Sequence, residues 1–166
     1  MKFLFFWGHQ PEHDGSIGKG CLSQWWPCSF VVEGQQFASA EHYMMWRKAL
    51  LFNDLASASR MLAARTPAEA KALGRSISDF SSSVWESQRL PIVVDGNLAK
   101  FGQDPALRSY LLGTGSRVLV EASPQDRVWG IGLVASDPRA SDPSAWLGLN
   151  LLGEALMEVR SRLSAA

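Results

Sequence analysis

Metal-binding and redox chemistry have little to work with in this chain, which carries two cysteines, Cys21 and Cys28, and three histidines. A zinc site would need both thiols together with His9 and His13, but their spacings match no zinc pattern, and Pro11 prevents a helical histidine pair. No metal site is expected, and the thiols read as buried or half-buried side chains rather than a disulfide. No apolar run reaches the length of a transmembrane helix, and Lys2-Phe-Leu-Phe-Phe-Trp7 is too short for a signal-peptide core. A cytoplasmic protein without a membrane partner is the expectation. Charge of one sign is missing too: 16 basic residues balance 16 acidic ones. Strong binding to duplex nucleic acid, which depends on neutralising phosphates, is therefore not expected. A small anionic substrate needs only a local basic pocket.

With 166 residues, 46% of them hydrophobic and 19% charged, the chain has the composition of one globular domain, residues 1–166, with a substantial core. No internal repeat, low-complexity tract or linker interrupts it. Residues 3–7 and 28–33 are rich in aromatic and β-branched types and predict short strands, paired with each other in a small sheet. Between them, Gly15-Ser-Ile-Gly-Lys-Gly20 fails the Walker spacing and reads as a mobile lid or as a turn-rich surface loop. From Ser39 to about Tyr110 the pattern is helical, punctuated at Thr66-Pro67, Gly74, Ser81-Ser-Ser83 and Asp104-Pro105. Thr66-Pro67 and Asp104-Pro105 each place a cap before a proline at the first helical position. Val118–Glu121 reads as a strand, followed by a long polar loop around Pro138 and Pro143. A final amphipathic helix carries Leu149, Leu152, Leu156, Val159 and Leu163, with Glu158 and Arg162 spaced for an exposed ion pair. The predicted class is α+β, mainly helical with a small β-sheet.

The stretch Gln36–Lys48 carries the most chemistry. Ser39 is a good N-cap, and Glu41 and Lys48 lie seven residues apart, close to two turns at about 3.6 residues per turn. A carboxylate and an amine therefore share one helical face. Glu41 falls in the first turn, where the helix dipole favours its ionised form, so it starts as a base or electrostatic stabiliser rather than an acid. The plain alternative is that both side chains occupy a solvated face.

Pieces spread over most of the chain resemble the NADAR, or YbiA-like, domain family. They are Ser39-Ala-Glu-His-Tyr43 with Lys48, Gly74-Arg75, Trp85-Glu-Ser87, Ala99-Lys-Phe101, Asp126 with Trp129-Gly130, and Asn150 with Leu152-Gly153 and Leu156-Met-Glu158. Each piece is weak alone, while their order and spacing together are specific. The resemblance implies hydrolysis of an N-glycosidic bond. Some members release the base from early ribosylamino-pyrimidine phosphates of riboflavin synthesis; others remove ADP-ribose from guanine. Ile131 departs from the pattern, because many members have an acidic residue after Trp-Gly; Asp137 or Asp142 is a candidate replacement.

Cleaving a ribosyl–nitrogen bond develops positive charge at C1, which a carboxylate stabilises, or it activates the attacking nucleophile. Glu41 fits that role. Lys48 has two open roles: a fixed cation for a substrate phosphate, or, with a depressed pKa, a nucleophile forming a Schiff base with the open-chain sugar; the resemblance favours the second. Of the seven tryptophans, Trp85 and Trp129 sit inside the matching motifs and would hold the base, whereas Trp7, Trp26, Trp46 and Trp146 read as packing. Ser23, Gln24 and Trp25 are candidate pocket residues. Asp126 would bind ribose hydroxyls or assist the leaving base, or serve only as a turn cap; Asn150 would handle ribose; Arg75 or Lys100 would meet a phosphate. No cofactor is expected, and the partner is a small ribosylated base or ADP-ribosylated guanine. Two other classes compete: a non-catalytic ADP-ribose or nucleotide-binding module, and an interaction protein with exposed tryptophans.

Overall fold

A computed structural model describes residues 1–166. It contains six α-helices and two separate two-stranded sheets, the mainly helical α+β class. The chain divides into two compact units, residues 24–104 as a continuous stretch and residues 1–23 with 105–166 as a discontinuous one.

The continuous unit opens with β2 (Phe30–Val32) and β3 (Gln35–Phe37), an antiparallel hairpin in which Phe30 faces Phe37. Its two-residue turn, Glu33-Gly34, has positive φ at both positions (51° and 76°), the turn geometry that follows the right-handed twist of a hairpin. Gln103 closes the edge: its Oε1 accepts from the Val31 N–H at 2.9 Å and its Nε2 donates to the Val31 carbonyl at 2.8 Å. Helix α1 (Ala40–Leu51) begins at Ser39, whose hydroxyl accepts from the His42 N–H. Its Tyr43 and Trp46 pack with Phe30 and Phe37 at ring separations of 5.1–6.1 Å, so the hairpin is held by an aromatic cluster on the helix. Helix α2 (Leu55–Ala63) is capped by Asp54, α3 (Pro67–Gly74) by Thr66 with proline at its first position, and α4 (Ser82–Gln103) by Ser81. Helix α4 runs on through Pro91, which is exposed.

In the discontinuous unit, β1 (Phe3–Phe6) pairs in parallel with β4 (Val118–Glu121), Phe3 opposite Val118. The two predicted N-terminal strands therefore do not pair with each other. Each finds its partner elsewhere, one in β4 and one in the hairpin. Helix α5 (Pro105–Gly113) starts at the proline, and α6 (Leu151–Ala165) buries Leu152, Leu156, Val159 and Leu163. The Glu158–Arg162 pair forms at 2.7 Å on its exposed face. Leu149 lies outside this stripe, 55% exposed before the helix starts. The Gly15–Gly20 loop is not an open lid: Gly18 and Gly20 are buried, and a side chain at Gly20 would collide with the Gln10 carbonyl. The polar loop after Gly132 folds into two short 3-10 turns, Pro138–Ser141 and Pro143–Ala145, each opened by an aspartate cap.

Candidate active site

Helix α1 places the chemistry of the continuous unit. The Glu41 N–H donates to the Gln24 carbonyl at 3.0 Å, which fixes the first turn, and the Glu41 side chain is buried. His42 tightens the same turn. Its Nε2 lies 3.0 Å from the Ala64 carbonyl, which only accepts, so Nε2 carries the proton and Nδ1 accepts from the Ser39 hydroxyl at 2.6 Å. The imidazole is thus spent on holding the helix start against the segment after α2.

Two turns further on, the half-buried Lys48 Nζ donates to the Gly74 carbonyl at 2.9 Å, at the C-terminal end of α3. Two aromatic faces close around it: Phe80 at 4.8 Å and Trp85 at 5.4 Å from ring centre to Nζ. Phe80 is held edge-to-face against Phe52, with ring centres 5.2 Å apart. Burial pushes the Lys48 pKa below that of an ordinary lysine, and the charge of Glu41 opposes part of that shift. The amine is therefore neither a solvated surface charge nor a fully paired ion. Gly74 belongs here for a packing reason, since a side chain at this position would run into the Met45 sulfur.

Gln24 and Asn97 add a buried polar pair beside Glu41. The Asn97 amide donates to Gln24 Oε1 at 2.8 Å and to the Val93 carbonyl at 2.9 Å, leaving Gln24 Nε2 and Asn97 Oδ1 with no hydrogen-bond partner. Asn97 escaped the sequence reading, as did Phe80. Trp25 is half-buried, with Lys71 Nζ 6.0 Å from its ring. Arg75 is exposed and caps the end of α3 one residue after Gly74. Lys100, expected with Arg75 as a phosphate contact, is 1% exposed, its Nζ 4.9 Å from the Phe101 ring. Cys28 is half-buried, and desolvation pushes its thiol pKa up, as for an inert structural cysteine.

The remaining expected residues belong to the discontinuous unit. Ser23 closes the short 3-10 turn Lys19–Leu22, its N–H donating to the Gly20 carbonyl. Asp126 Oδ1 accepts from the backbone N–H groups of Val128 (2.9 Å) and Trp129 (2.8 Å), so one carboxylate oxygen is a turn cap that fixes the half-buried Trp129. Asn150, expected at ribose, has a structural task. It is buried with φ 54°, its Oδ1 accepts from the Glu121 N–H and its Nδ2 donates to the Leu119 carbonyl, both at 3.0 Å. Its amide thereby fastens the entry of α6 to β4. Ile131 is fully buried in a cluster with Val120, Ala122, Leu133 and Ala140, an environment hostile to a carboxylate. Neither Asp137 nor Asp142 is a free replacement. Asp137 accepts from the Arg139 backbone and guanidinium, and Asp142 from the Ser144 N–H and hydroxyl. Trp146 packs on the Ile131 cluster as expected, whereas Trp7 is 55% exposed and fills no core.

No group of three histidine, cysteine, aspartate or glutamate side chains gathers where it could hold a metal ion, and no helix is long and apolar enough to cross a membrane. The family model for the NADAR domain matches residues 5–164. The chain belongs to the NADAR domain family. Among NADAR relatives, a protein of Acanthamoeba polyphaga mimivirus named as an N-glycosidase is 40% identical over 164 residues, covering 96% of this chain and 95% of that one. A protein of Vibrio vulnificus named as a riboflavin biosynthesis protein is 32% identical over 144 residues, 87% of this chain and 35% of that longer one. The solution structure of YbiA from Escherichia coli superposes with a TM-score of 0.79 at 27% identity, covering 99% of this chain and 86% of YbiA. The NADAR fold thus extends across both units.

Proposed function

We propose that this chain is an N-glycosidase that hydrolyses the bond between ribose C1 and nitrogen, with early ribosylamino-pyrimidine 5-phosphates of riboflavin synthesis as its substrates. The observation that carries this reading is the Lys48 amine, half-buried, with its pKa lowered, on one helix with buried Glu41. The names of the mimivirus and Vibrio relatives support the reaction class and the pathway.

The route follows from the two groups. In the ring-opened substrate, C1 is doubly bonded to the base nitrogen as an imine. Neutral Lys48 adds its lone pair to C1, a proton passes to the base nitrogen, and the base leaves as the free amine. The sugar remains joined to Lys48 as a Schiff base. Water then adds to C1, the C1–Nζ bond breaks, and the aldehyde closes to ribose 5-phosphate, with Lys48 restored and one water consumed. Glu41, as a carboxylate, stabilises the cationic imine and relays the protons. The Gly74 carbonyl accepts a hydrogen from either protonation state of Lys48, so its lone pair becomes free without loss of the amine's position. Trp85, already against the amine, offers a face on which the base can stack. Asp126 is proposed to act through Trp129, which it positions.

Incubation with the ribosylamino-pyrimidine 5-phosphate should release ribose 5-phosphate and the free aminopyrimidine in equal amounts, read by mass spectrometry. ADP-ribosylated guanine is the parallel substrate. Release of ADP-ribose there, with the pyrimidine nucleotide intact, would move the assignment to the other branch of the family, and no release from either would end it.

A further inference from the structure

We propose that Phe80 is a positioning residue that sets the protonation state of Lys48, by closing one wall of a three-sided cage around its amine. This rests on the reading of Lys48 as the nucleophile. The cage is a carbonyl and two aromatic faces: Gly74 O at 2.9 Å, Phe80 at 4.8 Å and Trp85 at 5.4 Å. The walls come from the end of α3, from the segment leading into α4 and from α4 itself, and none of the three titrates. The charge acting on the amine is that of Glu41 on its own helix.

Phe80 acts on the amine in two opposed ways. As a bulky apolar side chain it keeps water away, which favours the neutral amine. As a π face it attracts the ammonium, which favours the charged form. A ring serving only to fill space would show the first effect alone. Phe80 is also 45% exposed, and for a ring held at one edge by Phe52 this makes substitution tolerable to the fold.

The two effects separate by substitution. In F80L an aliphatic side chain still excludes water but presents no π face, so the amine is neutral over a wider pH range. In F80A water reaches the amine, which becomes more basic. F80Y keeps both effects. The full-length protein is labelled with a trace of acetic anhydride across a pH series, and acetylation at Lys48 is read by peptide mass spectrometry. Relative to the unsubstituted chain, the labelling midpoint falls by about half a pH unit in F80L, rises in F80A and stays in place in F80Y. Midpoints that do not move, or that move the same way in F80L and F80A, overturn the proposal. Thermal melts of each variant confirm that the fold is retained. The pH at which kcat/KM rises follows the labelling midpoint in each variant. Labelling that shifts as stated while turnover does not follow would support the cage and refute Lys48 as the nucleophile, so the two claims fail separately.

Discussion

Lys48 and Gly74 meet through a 2.9 Å hydrogen bond from Nζ to the carbonyl oxygen, which ties the amine of α1 to the end of α3. That bond directs the amine without an ion pair, and with burial dominating its environment the amine can shed its proton at a lower pH than a surface lysine. The rate kcat/KM should therefore rise with pH through a pKa below the ordinary lysine range. Borohydride added during turnover should fix the sugar phosphate on Lys48. Protein of unchanged intact mass, with turnover verified in the same tube, would exclude the covalent route.

Glu41→Gln keeps the size of the side chain and removes its charge. A drop in kcat of about 10²- to 10⁴-fold with little change in substrate affinity is expected, the range for a positioned acid or base. Steady-state kinetics beside a binding titration distinguish this from a folding defect, and full activity would remove Glu41 from the chemistry.

Gly74→Ala brings a methyl group against the Met45 sulfur. Overpacking should lower stability by about 1–3 kcal/mol, measured by urea unfolding. Turnover should fall further than stability predicts, because the carbonyl of this residue is the one that holds Lys48.

Asn150→Ala removes both hydrogen bonds to β4 and leaves the part-buried Glu121 N–H and the buried Leu119 carbonyl short of a partner. A loss of about 1–3 kcal/mol is expected for each group left unsatisfied. Where folded variant can be prepared, its KM should match that of the unsubstituted chain; a raised KM would return Asn150 to the ribose.

Asp54 supplies a pH test of stability. Its Oδ2 accepts from the Ser57 hydroxyl at 2.7 Å and the Ser78 N–H at 3.0 Å, and its Oδ1 from the Ser57 N–H, which hold its carboxyl well below the usual carboxylate range. A folded pKa below the unfolded one means that this contribution is complete above the unfolded value, near pH 4, and is lost as the pH falls toward the folded value. Asp54→Asn should therefore flatten the acid limb of stability below about pH 4, as seen in chemical unfolding at stepped pH.

The local signals were legible because their causes are local. Ser39 before Ala40-Glu41-His42 and Thr66 before Pro67 satisfy nearby N–H groups, so each helix start can be read within four residues. The Glu41 and Lys48 face was legible for the same reason. What closes around Lys48 was not. Gly74 advertises a turn, and nothing in its neighbourhood tells that its carbonyl receives an amine 26 positions earlier or that Met45 forbids a side chain. Phe80 lies before the cap of α4 and looks like a loop aromatic until the chain folds back. The pairing of β1 with β4 was hidden likewise, since two apolar segments suggest strands but not which strands meet. Asp126 shows a different limit, because an aspartate before a turn has the same pattern whether it caps backbone or touches sugar.

The parallel pairing of Phe3–Phe6 with Val118–Glu121 also orders events in the cell. Residues 24–104 leave the ribosome as an unbroken stretch and can condense while synthesis continues, bringing Glu41, Lys48, Phe80 and Trp85 together early. The first strand has no such opportunity. Its apolar side chains remain without their partner strand until the chain has been synthesised past Glu121. Slow translation would lengthen the time for which Phe3–Phe6 lacks its partner strand, while α1 can already form.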